Sequence, residues 1–133
     1  MIYPMFMVVL LTFIVGGVAV QSRFSSVKNG VVKASFYKLM LGQEAPESVI
    51  KSTRCFNNLF ELPVLFYVIV TLHIVLGMED VAGFVLAWLF VIFRYAQTYI
   101  HLTYNHILHR MLTFWGGFVV IMALWLNLLI NID

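Results

Sequence analysis

Residues 59–76 read LFELPVLFYVIVTLHIVL, and this stretch is the clearest indication of the fold class. Its length is close to the roughly 20 apolar residues that a helix needs to cross the hydrocarbon core of a bilayer. Its apolar residues do not alternate strictly with polar ones, as they would in a membrane β-strand. The stretch therefore predicts a transmembrane helix, with a carboxylate near one end (Glu61) and an imidazole near the other (His73).

Three further stretches have the same character, so the chain is expected to cross the membrane four times. The four apolar stretches are residues 2–20, 59–76, 81–100 and 111–130. With polar ends included, the predicted helices cover about residues 2–20, 50–76, 80–104 and 110–130. No internal repeat divides the chain. The sequence predicts an all-α bundle of four transmembrane helices, forming a single integral membrane domain over residues 1–133.

The composition excludes the other common classes of protein. Of the 133 residues, 62% are hydrophobic and 11% are charged, and the mean hydropathy is +0.97. Soluble domains are roughly 45–50% apolar and about 25% charged, so a soluble globule would expose much of this apolar excess. A disordered chain needs low hydrophobicity, and a disulfide framework needs more than the single Cys55. A net charge of +2 is too small to indicate a polyanion partner.

The basic residues predict how the chain is oriented. The first connection and the helix ends beside it carry six of them: Arg23, Lys28, Lys33, Lys38, Lys51 and Arg54. The second connection holds Glu79 and Asp80 and no basic residue, while Arg94 and Arg110 lie in or near the third connection. In a four-span chain the first and third connections share a side, which the positive-inside rule makes cytoplasmic. We therefore expect both termini outside the cytoplasm.

The first connection is long and basic. Residues 27–41 (VKNGVVKASFYKLML) space lysines among apolar side chains, and Gly42 and Pro46 are expected to end the segment before the second helix begins. Two interpretations are open. The segment lies along an anionic membrane surface, or it is a solvated loop that also sets the topology.

The start of the second helix carries a polar stripe. At 100° per residue, Arg54, Asn58 and Glu61 fall within about 60° of one another. The guanidinium, amide and carboxylate could bind the carboxylate, amide and ammonium of a zwitterionic ligand. The alternative is that they only join helices to one another. Pro63 lacks an N–H and predicts a kink beside the stripe.

A second stripe follows the third helix toward the same end. Arg94, Gln97, His101 and Asn105 are spaced along one face, and Tyr95, Tyr99 and Tyr104 lie between them. An unpaired guanidinium inside the apolar span would be costly. Because Glu61 is the only carboxylate within a span, we predict a contact between Arg94 and Glu61, within or between subunits. Arg110, at the start of the fourth helix, is either a boundary cation or a catalytic one.

Other chemistries have little support in the sequence. The four histidines show no metal-binding pattern such as HExxH, so no metal site is predicted. The chain also has no GxSxG motif and no Walker loop. Cys55 belongs to no known cysteine motif and is expected to be structural.

The motif R-x3-N-x2-E, which starts at Arg54 and is followed by Pro63, resembles the second-helix signature of the membrane-associated proteins in eicosanoid and glutathione metabolism (the MAPEG family). The spacing of sixteen residues between Arg94 and Arg110 is similar to that of the prostaglandin E synthase branch. The segments LPVLFY and YIHLTYNHILHR look more like the bacterial members, which implies a bacterial inner membrane. The resemblance extends over nearly the whole chain, with three departures: an earlier proline after the glutamate, His101 where that branch has a tyrosine, and a cluster from Tyr104 to His109 that does not align.

The resemblance implies a homotrimer that binds glutathione between subunits at the cytoplasmic side. It also implies a role for each polar residue. Arg110 would be the catalytic residue that stabilises the glutathione thiolate. The binding residues would be Arg54, Asn58 and Glu61, with secondary contacts from Arg94, Tyr95, Tyr99 and His101.

The function expected from the resemblance is that of a detoxifying glutathione transferase, with glutathione peroxidase activity as a further option. Glutathione would be the co-substrate, and no metal would be involved. The second substrate would be a lipophilic electrophile or lipid hydroperoxide, entering from the membrane lipid. Two alternatives are open: a non-catalytic relative that binds a lipid, thiol or partner protein, and a small transporter or channel. No nucleic-acid partner is expected.

Overall fold

The computed structural model describes residues 1–132; the last residue of the predicted domain, Asp133, lies outside the described residues. The described part of the chain contains five α-helices, one short 3₁₀ helix (Ala34–Lys38) and no strand. The α-helices are antiparallel to their neighbours along the chain where a connection joins two spans. They are α1 (Ile2–Lys28), α2 (Glu47–Asn58), α3 (Leu62–Val75), α4 (Val81–Leu102) and α5 (Ile107–Asn131). Because α2 and α3 together form one span, four spans are long and apolar enough to cross a membrane. The predicted all-α architecture with four spans is confirmed.

The second span is broken where a continuous helix over residues 50–76 was predicted. α2 ends at Asn58, α3 begins at Leu62, and Glu61 between them has φ −90° and ψ −90°. Pro63 lies in the first turn of α3, where its missing N–H costs no helical hydrogen bond. The kink predicted at Pro63 is therefore a full interruption just before it, and Glu61 does not continue the helical stripe of α2.

The other helix ends also differ from those predicted from hydropathy. α1 continues through polar residues to Lys28, and α5 begins at Ile107, three residues earlier than expected. α4 ends at Leu102, and Asn105 reverses the chain with φ +50°. Hydropathy marks the membrane-embedded part of a helix, whereas its ends are set by turns and caps in the polar layer. As a result, Asn105 leaves the stripe of α4, and Arg110 lies in the first turn of α5.

The core lies where α3, α4 and α5 meet α1. Val8, Phe66, Phe90 and Leu124 are fully buried there. The rings of Phe66 and Phe90 stack with centroids 4.2 Å apart, and α4 packs most extensively against α5. Many large apolar side chains instead point outward from all four spans. Such an exterior suits a lipid environment, where burial of apolar surface is not required.

The two ends of the bundle have opposite charge. We call the end with the α1–α2 and α4–α5 connections the basic end, and the end with the α3–α4 connection the acidic end. At the acidic end the amino group of Met1 pairs with Glu79. His73 is buried, with Nε2 3.0 Å from the side-chain amide of Asn127. Asn127 Nδ2 donates to Asp80 Oδ2 at 3.1 Å, so polar contacts join α3, α5 and the start of α4.

Asp80 caps α4, and its replacement is expected to lower stability. Its Oδ1 accepts from the Gly83 N–H at 2.8 Å, and this bond together with the hydrogen bond from the Asn127 amide holds the pKa of Asp80 below its usual value. We expect Asp80→Ala to reduce the free energy of unfolding by about 1 kcal/mol at neutral pH. Because the folded-state pKa is lowered, the charge-dependent part is present above pH ~3.9 and is lost as the pH falls through the folded-state value.

Thermal unfolding in detergent between neutral and acidic pH tests this effect. Asp80→Asn keeps an acceptor for Gly83 but loses the charge, so its stability should fall less steeply with acid than that of the wild type. Glu44→Gln is the control, because Glu44 is exposed and has no ion-pair partner among residues 1–132. Equal acid dependence of wild type and Asp80→Asn would contradict the prediction.

Candidate functional site

The candidate site at the basic end is built around the side chain of Asn58. Its Oδ1 accepts from Arg94 Nη1 at 3.4 Å and from Gln97 Nε2 at 3.1 Å. Its Nδ2 donates to Glu61 Oε2 at 3.3 Å. These bonds join the last residue of α2 to α4 and to the residue before α3. Polar side chains from the two predicted stripes therefore contact one another beside the break in the second span.

Arg94 and Glu61, for which a contact within or between subunits was predicted, form no ion pair with each other within residues 1–132. Asn58 lies between the two and contacts both. The physical reason is the break after α2, which turns Glu61 toward the surface, where its side chain is exposed. A contact between subunits stays a prediction.

Arg94 is enclosed by the bundle, with only 1% of its surface exposed. Its guanidinium carbon lies 5.4 Å from the ring centre of Phe90 and 5.5 Å from that of Phe114. Gly117 of α5 lets the helix backbone approach, since an added Cβ would lie 3.4 Å from Nη2. Two aromatic faces stabilise the cation. Even so, Nε and Nη2 have no hydrogen-bond partner in the described part of the chain.

Arg110 is partly buried in the first turn of α5. Its Nη1 donates to Asn105 Oδ1 at 2.9 Å, while its Nε is buried and has no hydrogen-bond partner among residues 1–132. The reversal at Asn105 is what brings this acceptor back toward the helix. His101 is buried on α4, within electrostatic range of Arg110 and Arg54.

The remaining predicted site residues are less closely gathered. Arg54 and Glu61 are exposed, and no hydrogen bond or ion pair involves Arg54 within residues 1–132. Tyr99 is 66% exposed and faces outward from α4. Tyr95 donates its hydroxyl proton to the Met7 carbonyl at 3.0 Å, so it joins α4 to α1. The structure therefore brings Asn58, Arg94 and Glu61 together and leaves Tyr99 outside the group.

Gln97 and Asn105 belong to the candidate site, although the sequence analysis did not predict either of them as a ligand contact. Gln97 orients Asn58, and its own Oε1 is buried without a partner among the described residues. Asn105 holds Arg110. The signal for Gln97 was its position three residues after Arg94 on the same helical face. No sequence signal predicted the role of Asn105, because that role depends on a positive φ.

Polar residues outside this site include the possible metal ligands, Cys55 and the histidines of the α4–α5 connection. Within residues 1–132, no three His, Cys, Asp or Glu side chains come together as a metal-binding group. Cys55 is buried against Leu11, Val15 and Leu59. In the α4–α5 connection, His109 Nδ1 lies 3.0 Å from the Tyr104 hydroxyl.

The fold and the site define a class: an integral membrane protein with four spans and a cationic, amide-lined site at one end. The chain belongs to the MAPEG family, whose model matches residues 1–130. No curated protein and no solved structure matches the chain significantly. The family membership that the helix motifs indicated is therefore confirmed, and the family as a whole is linked to glutathione and eicosanoid metabolism.

Proposed function

We propose that the protein is a glutathione transferase that conjugates glutathione to a lipophilic electrophile at the basic end of the bundle. The observation that carries the proposal is that Arg94 and Arg110 have buried guanidinium N–H groups with no hydrogen-bond partner in the described part of the chain. A buried donor without a hydrogen bond lowers the stability of the folded protein, and a ligand that accepts from it removes this cost. Within residues 1–132 neither arginine has a carboxylate within ion-pair distance. Both guanidinium groups therefore lack an anionic partner, which an anionic ligand would supply.

Glutathione has the groups that this end of the bundle could bind. Its carboxylates suit Arg54, its ammonium suits Glu61, and its peptide N–H groups suit the Oε1 acceptor of Gln97. Asn58 is held in one orientation by two donors, which prepares its amide and the adjacent carboxylate for a ligand. Arg94, Tyr95, Tyr99 and His101 are proposed as secondary contacts.

The proposed role of Arg110 is to stabilise the thiolate. An unperturbed thiol has a pKa near 8.5, and a nearby cation raises the thiolate fraction at neutral pH. In the transferase reaction the sulfur forms a bond to the electrophilic carbon, and the leaving group departs with the bonding electron pair. In the peroxidase reaction the thiolate attacks a hydroperoxide oxygen. The S–O bond forms as the O–O bond breaks, which gives the sulfenic acid of glutathione and an alkoxide that takes a proton and leaves as the alcohol. The thiol of a second glutathione then attacks the sulfenic sulfur, which forms the disulfide and releases water.

A homotrimer with the site between subunits is part of the proposal. The support is that Arg54, Glu61 and Tyr99 point away from the subunit's own core. Exposed polar side chains beside an apolar exterior would gain partners from a neighbouring copy. The proposed orientation places the basic end in the cytoplasm with the termini outside, on the basis of the lysine and arginine distribution.

Glutathione binding to the purified protein tests the proposal, with the thiolate followed by its ultraviolet absorbance. We expect a thiolate signal at neutral pH for the wild type, and at least about tenfold weaker binding for Glu61→Gln, since a hydrogen-bonded charge is lost. Glu44→Gln is the matched control, an exposed carboxylate outside the site. Binding without a thiolate signal would indicate a non-catalytic relative. No binding would overturn the glutathione proposal.

A further inference from the structure

The α1–α2 connection packs back against the end of α1. Val32 and Phe36 are buried, and Phe36 lies in a short 3₁₀ helix (Ala34–Lys38). The Tyr37 hydroxyl lies 2.6 Å from Ser26 Oγ, and the guanidinium of Arg23 lies 5.9 Å from the centre of the Tyr37 ring. The connection is therefore held at the level of Arg23 and Ser26 on α1.

The length of α1 indicates where that level lies in the membrane. Its 27 residues extend over about 40 Å, while the hydrocarbon core is about 30 Å thick. If the apolar part begins at Ile2, roughly 20 residues cross the core, and the first polar residues after it are Gln21 and Ser22. Arg23 and Ser26 then lie at headgroup depth, and so does the connection that packs on them.

The outer side of this connection combines two kinds of side chain. Leu39 and Leu41 are 76% and 72% exposed, and a reversal with positive φ at Met40 and Gly42 presents them outward. Lys28, Lys33 and Lys38 are exposed as well. None of the three lysines pairs with a carboxylate within residues 1–132. We call these five residues, Lys28, Lys33, Lys38, Leu39 and Leu41, the connection face.

We propose that the connection face binds the anionic surface of the bilayer in which the protein sits. The leucines enter the boundary between headgroups and acyl chains, and the ammonium groups contact the anionic headgroups. Exposed leucines at headgroup depth suit lipid better than water. Unpaired lysines beside them match a negative surface and are each worth about fivefold in affinity for it. Of the two interpretations open from the sequence, the contacts with α1 therefore favour the surface-bound segment.

Hydrogen exchange of the intact protein in nanodiscs tests this proposal. The lipid is phosphatidylcholine, alone or mixed with phosphatidylglycerol. We expect the amides of residues 31–41 to exchange at least about fivefold more slowly in the anionic discs. This difference should vanish at about 1 M salt, where the screening length is ~3 Å. It should also vanish when all three lysines of the connection face are replaced by glutamine.

Two controls separate the proposal from a folding defect. Lys51→Gln removes a lysine that pairs with Glu47 and lies outside the connection face, so the lipid dependence should persist. The amides of α4 should exchange equally in every sample, which shows that the bundle is intact. Fast exchange of residues 31–41 in both lipids would mean a solvated loop. Slow exchange in both would mean cover by a second copy. Either result overturns the proposal, and neither depends on glutathione.

Discussion

Arg110→Ala is expected to lower the rate of conjugation of glutathione to an activated aryl chloride by roughly 100-fold, the cost of losing one preorganised charge-stabilising donor. Arg110 lies in the first turn of α5, where its Nη1 donates a hydrogen bond to Asn105. Its Nε has no partner among the described residues, so this N–H is available to a ligand. Without this cation the thiolate absorbance should appear only as the pH approaches the value for a free thiol, about 8.5. Stopped-flow absorbance and steady-state rates measure both effects.

Arg54→Ala is the matched control for this experiment, because it removes another arginine from the same end of the bundle. Arg54 is proposed to bind a carboxylate, so its loss should weaken glutathione binding while leaving the thiolate signal at saturating glutathione. Arg110→Lys should restore part of the rate, because the charge is kept but the planar donor set is lost. A normal rate and thiolate signal in Arg110→Ala would exclude Arg110 as the catalytic residue.

Replacing Arg94 by methionine and by alanine should have different effects on the stability of the ligand-free protein. Arg94→Met fills the space between Phe90 and Phe114. It also removes a buried charge, two nitrogens of which have no hydrogen-bond partner among residues 1–132. Such replacements are often neutral or stabilising by about 1–4 kcal/mol, so the unfolding midpoint of the ligand-free protein should stay equal or rise. Arg94→Ala leaves a cavity and should cost about 3 kcal/mol.

The ligand dependence of these variants separates binding from folding. Glutathione at about 100 times its dissociation constant should stabilise the wild type by roughly 2.7 kcal/mol. This gain should be much smaller in Arg94→Met if the unpartnered N–H groups serve the ligand. A full gain in Arg94→Met would show that they do not. If Arg94→Met is as unstable as Arg94→Ala, the guanidinium is required for the fold itself.

The fold was predictable from the sequence because the chain must satisfy its backbone polar groups internally in a bilayer. Four apolar stretches of about 20 residues leave an α-helical bundle as the structure to expect. The break before Pro63 was only partly predictable. Proline indicates that a helix is disturbed, but whether the span bends or stops depends on contacts with other helices, here those of the Asn58 side chain with α4.

The candidate site, like the fold, was predictable only in part from the sequence. Helical spacing placed Arg54 near Asn58 on one stripe, and Arg94 near Gln97 on another, since residues three and four apart share a helix face. Spacing carries no information about the distance between two helices. The sequence therefore paired Arg94 with Glu61 by charge alone, whereas the packing of α2 on α4 gives Asn58 that position.

The sequence by itself determined the class of protein, the four spans, the family and the end of the bundle that carries the polar stripes. These follow from hydropathy, local periodicity and short motifs, which need no knowledge of long-range contacts. Only the tertiary structure decided that Asn58 is the centre of the polar group, that Asn105 holds Arg110, and that the α1–α2 connection packs on α1. Each of these depends on a chain reversal or a contact between helices, which local sequence does not encode.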